Sequence, residues 1–546
     1  MSATASEGPA EERPASVAPG KAVDAKHRWL SDGLAGVSVA LVAIPQSLAY
    51  ADLAGLPPHH GLYASALPPL CAAFFASSPY LQTGPSALTA LLSFAALSTL
   101  APVGSAQFVA LAALLALLVG VLRGVIGLLK GGAVSYMMSQ PVLRGFATAA
   151  AVLIFASQLP KVLGVSVEGE GVMVRALAAF SDPSAWEVEA LALAGGTLVL
   201  MLGGRRLHTL FPGVLVALLG GIAYTSLAGY EGAVVGEVPS TILPPFSLDL
   251  PWAQLPRLLV AGAIIALVGF SEAASVSQVF AEQSRRPWDP NREFISQGVA
   301  NLAAGVAGGF PVGGSFSRSA LNRAAGAQTR WAGAVTGVAV LACLPFAGLL
   351  ARLPMAVLGA IVLGAVLKLL DPRPLMRFWK LSKLQALVGY ATFGLTLWLA
   401  PHVEHAVLAG IALALGVHAW REQRFHVEAG LQDETLVLRP MGVVWFASAP
   451  LFRQALAREL AAHPGARDVR IELGAVGRVD LTGALMLQEV VDRGAEVGLE
   501  VQLDDVPPHA RRILGRVCAE SVCEGAVGTG EGERESEAAK SEESAP

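Results

Sequence analysis

Charge is what this chain has least of. Only 15% of its 546 residues are Asp, Glu, Lys or Arg, where an ordinary soluble domain carries about 25%. That scarcity excludes a disordered, fibrous or ordinary soluble protein. No sign of charge dominates either: 38 Lys and Arg stand against 42 Asp and Glu, so nothing points to nucleic acid as a partner. Cysteine is rare, and four in this length make no disulfide framework. Cys71 and Cys343 lie in apolar runs and read as core fillers. Cys518 and Cys523 form a C-x4-C pair without a nearby His, which is a poor metal site. The first residues lack the apolar stretch of a secretory signal. What remains is 54% hydrophobic with a mean hydropathy of +0.56, the composition of a polytopic membrane protein embedded in a lipid bilayer.

Composition divides the chain. Residues 1–28, rich in Ala, Pro, Glu and Ser, read as a disordered tail, and residues 29–421 as a transmembrane domain. Residues 424–523 return to soluble composition, and the acidic, apolar-poor residues 524–546 read as a second disordered tail. Within the membrane domain, apolar segments predict fourteen helices near 30–52, 60–78, 86–101, 106–129, 141–163, 188–204, 208–228, 257–282, 293–310, 316–325, 331–352, 355–370, 384–400 and 405–421. Alternation from a cytoplasmic N-terminus puts Lys130, Arg144, Arg205, Arg206, Arg285, Arg286, Arg292 and the Arg373, Arg377, Lys380, Lys383 cluster on the inside. Arg421 then leads into a cytoplasmic C-terminal domain.

Segments three and ten share a local pattern at equivalent places in two seven-helix halves. One begins Thr83-Gly84-Pro85-Ser86-Ala87-Leu88, the other Gly313-Gly314-Ser315-Phe316-Ser317-Arg318. Paired interrupted segments are the sequence sign of a transporter with inverted repeats and a midplane site. Glycine lets backbone approach a ligand, and an open helix N-terminus suits an anion. The plainer alternative is glycine-rich turns or tight helix packing. Pro45 breaks the first segment and frees a carbonyl, and Gln46 follows it; Gln46 is a site residue or an interhelical hydrogen-bond donor. Glu272 is the lone charge between Leu258 and Phe280, which makes it a functional candidate by default against a paired or protonated structural carboxyl. Arg318 attracts anions or is a cytoplasmic surface charge. His59 and His60, after Pro57-Pro58, read as turn residues and not as metal ligands.

Three long stretches resemble the SulP family of anion permeases: residues 43–65, AIPQSLAYADLAGLPPHHGLYAS; 139–164, SQPVLRGFATAAAVLIFASQLPKVLG; and 291–327, NREFISQGVANLAAGVAGGFPVGGSFSRSALNRAAGA. The resemblance covers about residues 30–520. It implies a seven-plus-seven inverted-repeat fold, shared with uracil permeases, and a substrate site between the facing starts of segments three and ten. Carried over residue by residue, the site comprises Gln46, Tyr50, Ser86, Ala87, Ser315, Phe316 and Ser317, with the acidic position at Glu272. The family moves sulfate, bicarbonate, chloride or dicarboxylates. The run Gly314 to Ala320 is most similar to the sulfate-transporting branch. In sodium-coupled bicarbonate members the acid is followed four residues on by a threonine; here Val276 stands there and offers no side-chain oxygen. That leaves a protonatable Glu272 as the coupling group.

In residues 424–523, strands are expected at Thr435–Leu438, Gly442–Phe446, Val469–Leu473 and Leu499–Leu503, and helices at Ala449–Ala462, Leu485–Ala495 and Pro508–Val517. The alternation gives an α/β layer and resembles the STAS domain that SulP proteins carry. Asp480-Leu481-Thr482-Gly483 opens the second helix. Thr482 matches the position phosphorylated in regulatory STAS proteins, or is a plain N-cap. The expected protein is a secondary transporter of a small inorganic anion, sulfate with protons first, in the inner (plasma) membrane. Bicarbonate, chloride and dicarboxylate remain rivals, as does a non-transporting scaffold or sensor. No enzymatic constellation and no cofactor are expected. The family resemblance suggests a homodimer.

Overall fold

The computed structural model describes residues 25–517 apart from 137–138, 168, 170, 208–210, 241–248, 368, 423–424 and 433. The predicted acidic tail, most of the N-terminal tail, and Cys518 and Cys523 lie outside the described residues. The described chain falls into two compact units that part between Ala412 and Leu413.

In the first unit the helices are α1 Ala25–Leu53, α2 His59–Phe75, α3 Ala87–Leu97, α4 Ala106–Leu128, α5 Gln140–Leu163, α6 Val172–Ser181, α7 Val188–Leu207 and α8 Gly213–Ala228. They continue with α9 Leu255–Ser284, α10 Pro290–Val306, α11 Phe316–Ala324, α12 Trp331–Cys343, α13 Met355–Val366, α14 Arg373–Leu381, α15 Lys383–Trp398 and α16 Val403–Glu422, the last running across the division. Two short strands, β1 Thr83–Gly84 and β2 Gly313–Gly314, precede α3 and α11. All fourteen predicted segments fall on helices. Among the described residues, six helices are long and apolar enough to cross a membrane unaided.

Two helices were not legible as segments. α6 buries only Ala176 and Ala179, and α14 only Leu375. Each is short and amphipathic, so neither shows a spanning run. They occupy equivalent places, between the fifth and sixth spans of their halves, so the internal repeat extends to these connecting helices. The predicted span 331–352 also changes character, from α12 to a 3-10 segment over Leu344–Arg352 that carries Pro345 in its first turn.

The halves interlock through exchanged partners. α2 packs on α12 and α10 on α4, the second span of each half against the fourth of the other. α5, α7 and α13 form a second group, joined by α15 on α5 and α8 on α7. The α4–α10 crossing depends on glycine. A Cβ on Gly298 would lie 2.7 Å from the Gly124 nitrogen and 3.0 Å from the Gly120 carbonyl oxygen. Backbones this close gain dispersion contacts that replace the hydrophobic drive missing in lipid.

The second unit is an α/β layer. Its elements are β3 His426–Gln432, β4 Thr435–Val444, α17 Ala449–Ala462, β5 Asp468–Glu472, β6 Val476–Val479, α18 Leu481–Glu496, β7 Glu500–Asp504 and α19 Pro508–Val517. The sheet runs β3-β4-β5-β7, with β6 also on β4. β3 and β4 form an antiparallel hairpin, and the other pairings are parallel. The two strands expected at Thr435–Leu438 and Gly442–Phe446 are one. β4 pairs with β5 through Leu438 and with β6 from Gly442, and Pro440 falls where the partner changes, so its missing N–H interrupts no parallel ladder. β3 and β6 carry too few buried residues to stand out in the sequence. Leu436, Leu438, Ile471, Leu487, Leu503 and Leu514 fill the core. On the surface, Arg439 Nε lies 2.6 Å from Glu472 and holds that carboxyl below its usual range.

Candidate anion-binding site

The site grows from the strand pair. β1 and β2 run antiparallel, with Thr83 opposite Gly314 and Gly84 opposite Gly313. Ser315 N donates to the Gln82 carbonyl at 3.0 Å and prolongs the ladder. Buried amides hold it from behind. Gln297 donates to the Thr83 hydroxyl at 2.7 Å. Asn301 brackets Val312, accepting from its N–H at 2.9 Å and donating to its carbonyl at 3.1 Å. Short strands with so few mutual bonds need such support in a region without water.

Both broken helices start at this pair, so α3 and α11 begin close together. They are capped differently. Ser86 is the N-cap of α3, and its hydroxyl accepts from Thr89 N at 3.3 Å while the Thr89 hydroxyl accepts from Ser86 N. Ala87 and Leu88 keep N–H groups that the helix itself does not bond. Ser315 is the N-cap of α11 but makes no capping bond; its hydroxyl lies 3.4 Å from that of Ser317. The N–H groups of Phe316 and Ser317 are likewise outside the helical ladder. Two helix starts thus present open donors and two positive dipole ends.

Arg318 crosses from α11 to the start of α3. It is buried, and its Nη2 donates to the Pro85 carbonyl at 2.7 Å, while Nε and Nη1 have no hydrogen-bond partner among the described residues. This is no cytoplasmic surface charge. A Cβ on Gly84 would come within 3.1 Å of Nη2, so glycine is needed for the arginine to lie across the strand pair. Glu272, half-buried on α9, is an electrostatic neighbour of Arg318 and meets the Ser86 hydroxyl. Tyr50, buried on α1, neighbours both charges. Gln46, one turn earlier, is buried with its Oε1 unpartnered among the described residues, on a helix that packs against α3 and α11.

The other predicted residues are placed less centrally. Ala87 is half-buried, and Ser317 is exposed at the α11 start. Phe316 is more than half exposed, its ring 6.2 Å from that of Phe280. Val276 packs with Ala35, Tyr80 and Phe280 in an apolar cluster, and its own side chain has no oxygen to offer a cation. His59 and His60, read as turn residues, instead begin α2; His60 Nδ1 lies 2.6 Å from the Gly308 carbonyl. Thr482 belongs to the second unit. It is not the N-cap of α18: Asp480 is, accepting from Gly483 N at 2.7 Å, and Thr482 is exposed in the first turn. Three supporting residues had no signal in the sequence. Gln297 and Asn301 sit on α10 among mixed polar and apolar residues, where an amide does not stand out, and Arg123 lies toward the end of the predicted 106–129 segment, where a charge reads as an interfacial anchor.

Two interlocked halves with broken helices meeting at one strand pair define a class, the secondary transporter of the membrane. Comparison with known proteins gives the family. Residues 30–392 match the sulfate permease family and residues 427–518 the Mlab, STAS domain. A probable sulfate transporter of Mycobacterium tuberculosis is 35% identical over 401 residues, 71% of this chain and 70% of that one. Among solved structures, the transmembrane domain of a cyanobacterium bicarbonate transporter, BicA, aligns with a TM-score of 0.60 at 26% identity, covering 71% of this chain and 98% of that one. The murine solute carrier 26 family member A9 anion transporter, in an inward-facing state, shares the fold: TM-score 0.83 at 20% identity, over 90% and 88% of the two chains. The chain belongs to the sulfate permease family. It is a multi-pass membrane transporter of anions with a C-terminal STAS domain, and not an enzyme.

Proposed function

We propose that the chain is a proton-coupled sulfate symporter. The observation that carries this is the meeting of the α3 and α11 starts with Arg318 laid across them and Glu272 beside it. The anion sits among Gln46, Tyr50, Ser86, Ala87, Ser315, Phe316 and Ser317. Ionised Glu272 offsets the charge of Arg318 and weakens the site for an anion. A proton on Glu272 returns that positive charge, so proton and anion favour one another, the reciprocity that symport requires. Val276, packed among apolar groups, supports protons over sodium. Sulfate is favoured because the 35% identical mycobacterial relative is named a probable sulfate transporter.

Access alternates as the group holding the strand pair moves against the group around α5 and α13. In this reading residues 29–421 form the transport domain of a homodimer in the inner (plasma) membrane. The N-terminus and the STAS domain, residues 424–523, are cytoplasmic. Thr482, exposed at the start of α18, is its regulatory position. The test is uptake by purified protein in proteoliposomes against sulfate, bicarbonate, chloride and dicarboxylates, with proton and sodium gradients imposed separately. Sulfate accumulation driven by an inward proton gradient is expected. Flux of another anion alone, or driving by sodium alone, overturns the assignment, and no flux of any anion favours a scaffold or sensor.

A further inference from the structure

Arg123 is fully buried in α4, behind the strand pair. Its three hydrogen bonds all go to backbone carbonyls: Nε to Ala266 at 3.1 Å, Nη2 to Ile265 at 3.0 Å and Nη1 to Val312 at 2.7 Å. No carboxylate pairs with it among the described residues. The fold makes room for it, since a Cβ on Gly269 would lie 2.5 Å from Nη2 and 3.2 Å from Thr89 Cγ2. Thr89 is in the first turn of α3, and Val312 is three residues before Ser315. The guanidinium therefore lies on the order of 10 Å from both helix starts. A charge this deep in a membrane protein is costly unless something compensates it. Holding the backbone does not require it. The Val312 carbonyl already accepts from the neutral amide of Asn301 at 3.1 Å, which shows that an uncharged side chain can serve at the same atom.

We propose that Arg123 is the fixed positive charge that sets the preference of the site for divalent over monovalent anions, acting through its field without touching the substrate. The inference rests on the anion site proposed above. A field acts on each unit of anion charge. At ~10 Å and an effective dielectric constant of about 20, the interaction corresponds to roughly tenfold in affinity per unit charge. A purely structural clip would affect all anions by one factor.

The experiment measures binding of sulfate and of the monovalent anions perchlorate, nitrate and chloride to purified full-length protein, with perchlorate sharing the tetrahedral shape of sulfate. In Arg123→Gln, monovalent affinity should fall about tenfold and sulfate affinity about a hundredfold, and Arg123→Lys should restore most of the preference. If Arg123→Gln does not fold, Val119→Glu places a buried carboxylate one turn away on the same face of α4, where it pairs with the arginine and cancels its charge, with Val119→Gln as its neutral and equally polar control. The Glu variant should show the same valence-dependent loss and the Gln control none. Equal losses for sulfate and the monovalent anions, or no loss, overturn the role of Arg123. A wild-type protein that binds none of these anions overturns the site itself.

Discussion

Glu272 and Arg318 are neighbours at the α3 start, and the proposed symport gives them opposite tasks, one to take a proton and the other to hold an anion. Glu272→Gln keeps the shape and the neutral state of the protonated acid. It should bind sulfate but lose its response to pH, and proteoliposome uptake at several inward proton gradients checks this. A Gln variant that concentrates sulfate as wild type does would make the carboxyl structural. Ser317 tests the other helix start. Ser317→Trp and Ala87→Trp should abolish anion binding while the thermal unfolding profile stays in place. Ser317→Ala removes at most one hydrogen bond to a charged group, about 1.5–3 kcal/mol, and should weaken binding roughly ten- to hundredfold. Unchanged affinity in both tryptophan variants would move the site elsewhere.

Among elements, the α4–α10 crossing is sensitive to a single methyl group. Gly298→Val drives side-chain atoms into the Gly124 nitrogen and the Gly120 carbonyl. Overpacking of this kind costs about 1–3 kcal/mol, so the unfolding temperature in detergent should fall, and an unchanged value would contradict the close approach. The elements also show what a sequence reveals. The fourteen spans were legible because a membrane demands a long apolar run wherever chain crosses it. The two site helices were legible by repetition, Gly and Ser before a short segment appearing twice. α6 and α14 were not, because an amphipathic helix of ten residues or fewer has no such signature. β4 was read as two strands for a related reason: it changes partner strand near Pro440, and a single strand in view gives no sign of its partners. Gln297 and Arg123 reach their partners Thr83 and Val312 from 214 and 189 residues away in sequence, and Asn301 folds back onto Val312 from 11 residues before it; only the fold brings them together.

For the whole molecule, the soluble composition of the second unit and its own core predict a modulating role that leaves the pathway intact. A chain ended near residue 424 should bind sulfate with an affinity within a few-fold of the full chain, even if its turnover falls. Radioligand binding to the folded, truncated protein decides this, and loss of binding there would place part of the site in the second unit. The related bicarbonate transporter was solved as a transmembrane domain alone. The strand pair between the halves carries a further consequence, for descent. Thr83, Gly84, Gly313 and Gly314 are joined by main-chain groups, which every residue possesses. The join is therefore indifferent to most changes in the side chains of the helix starts, which are not among the buried amides that support it. If the anion sits at the helix starts as proposed, lineages can alter the residues around them, and with them the cargo, without dismantling the strand pair. That freedom accounts physically for one architecture serving relatives named for sulfate and for bicarbonate alike.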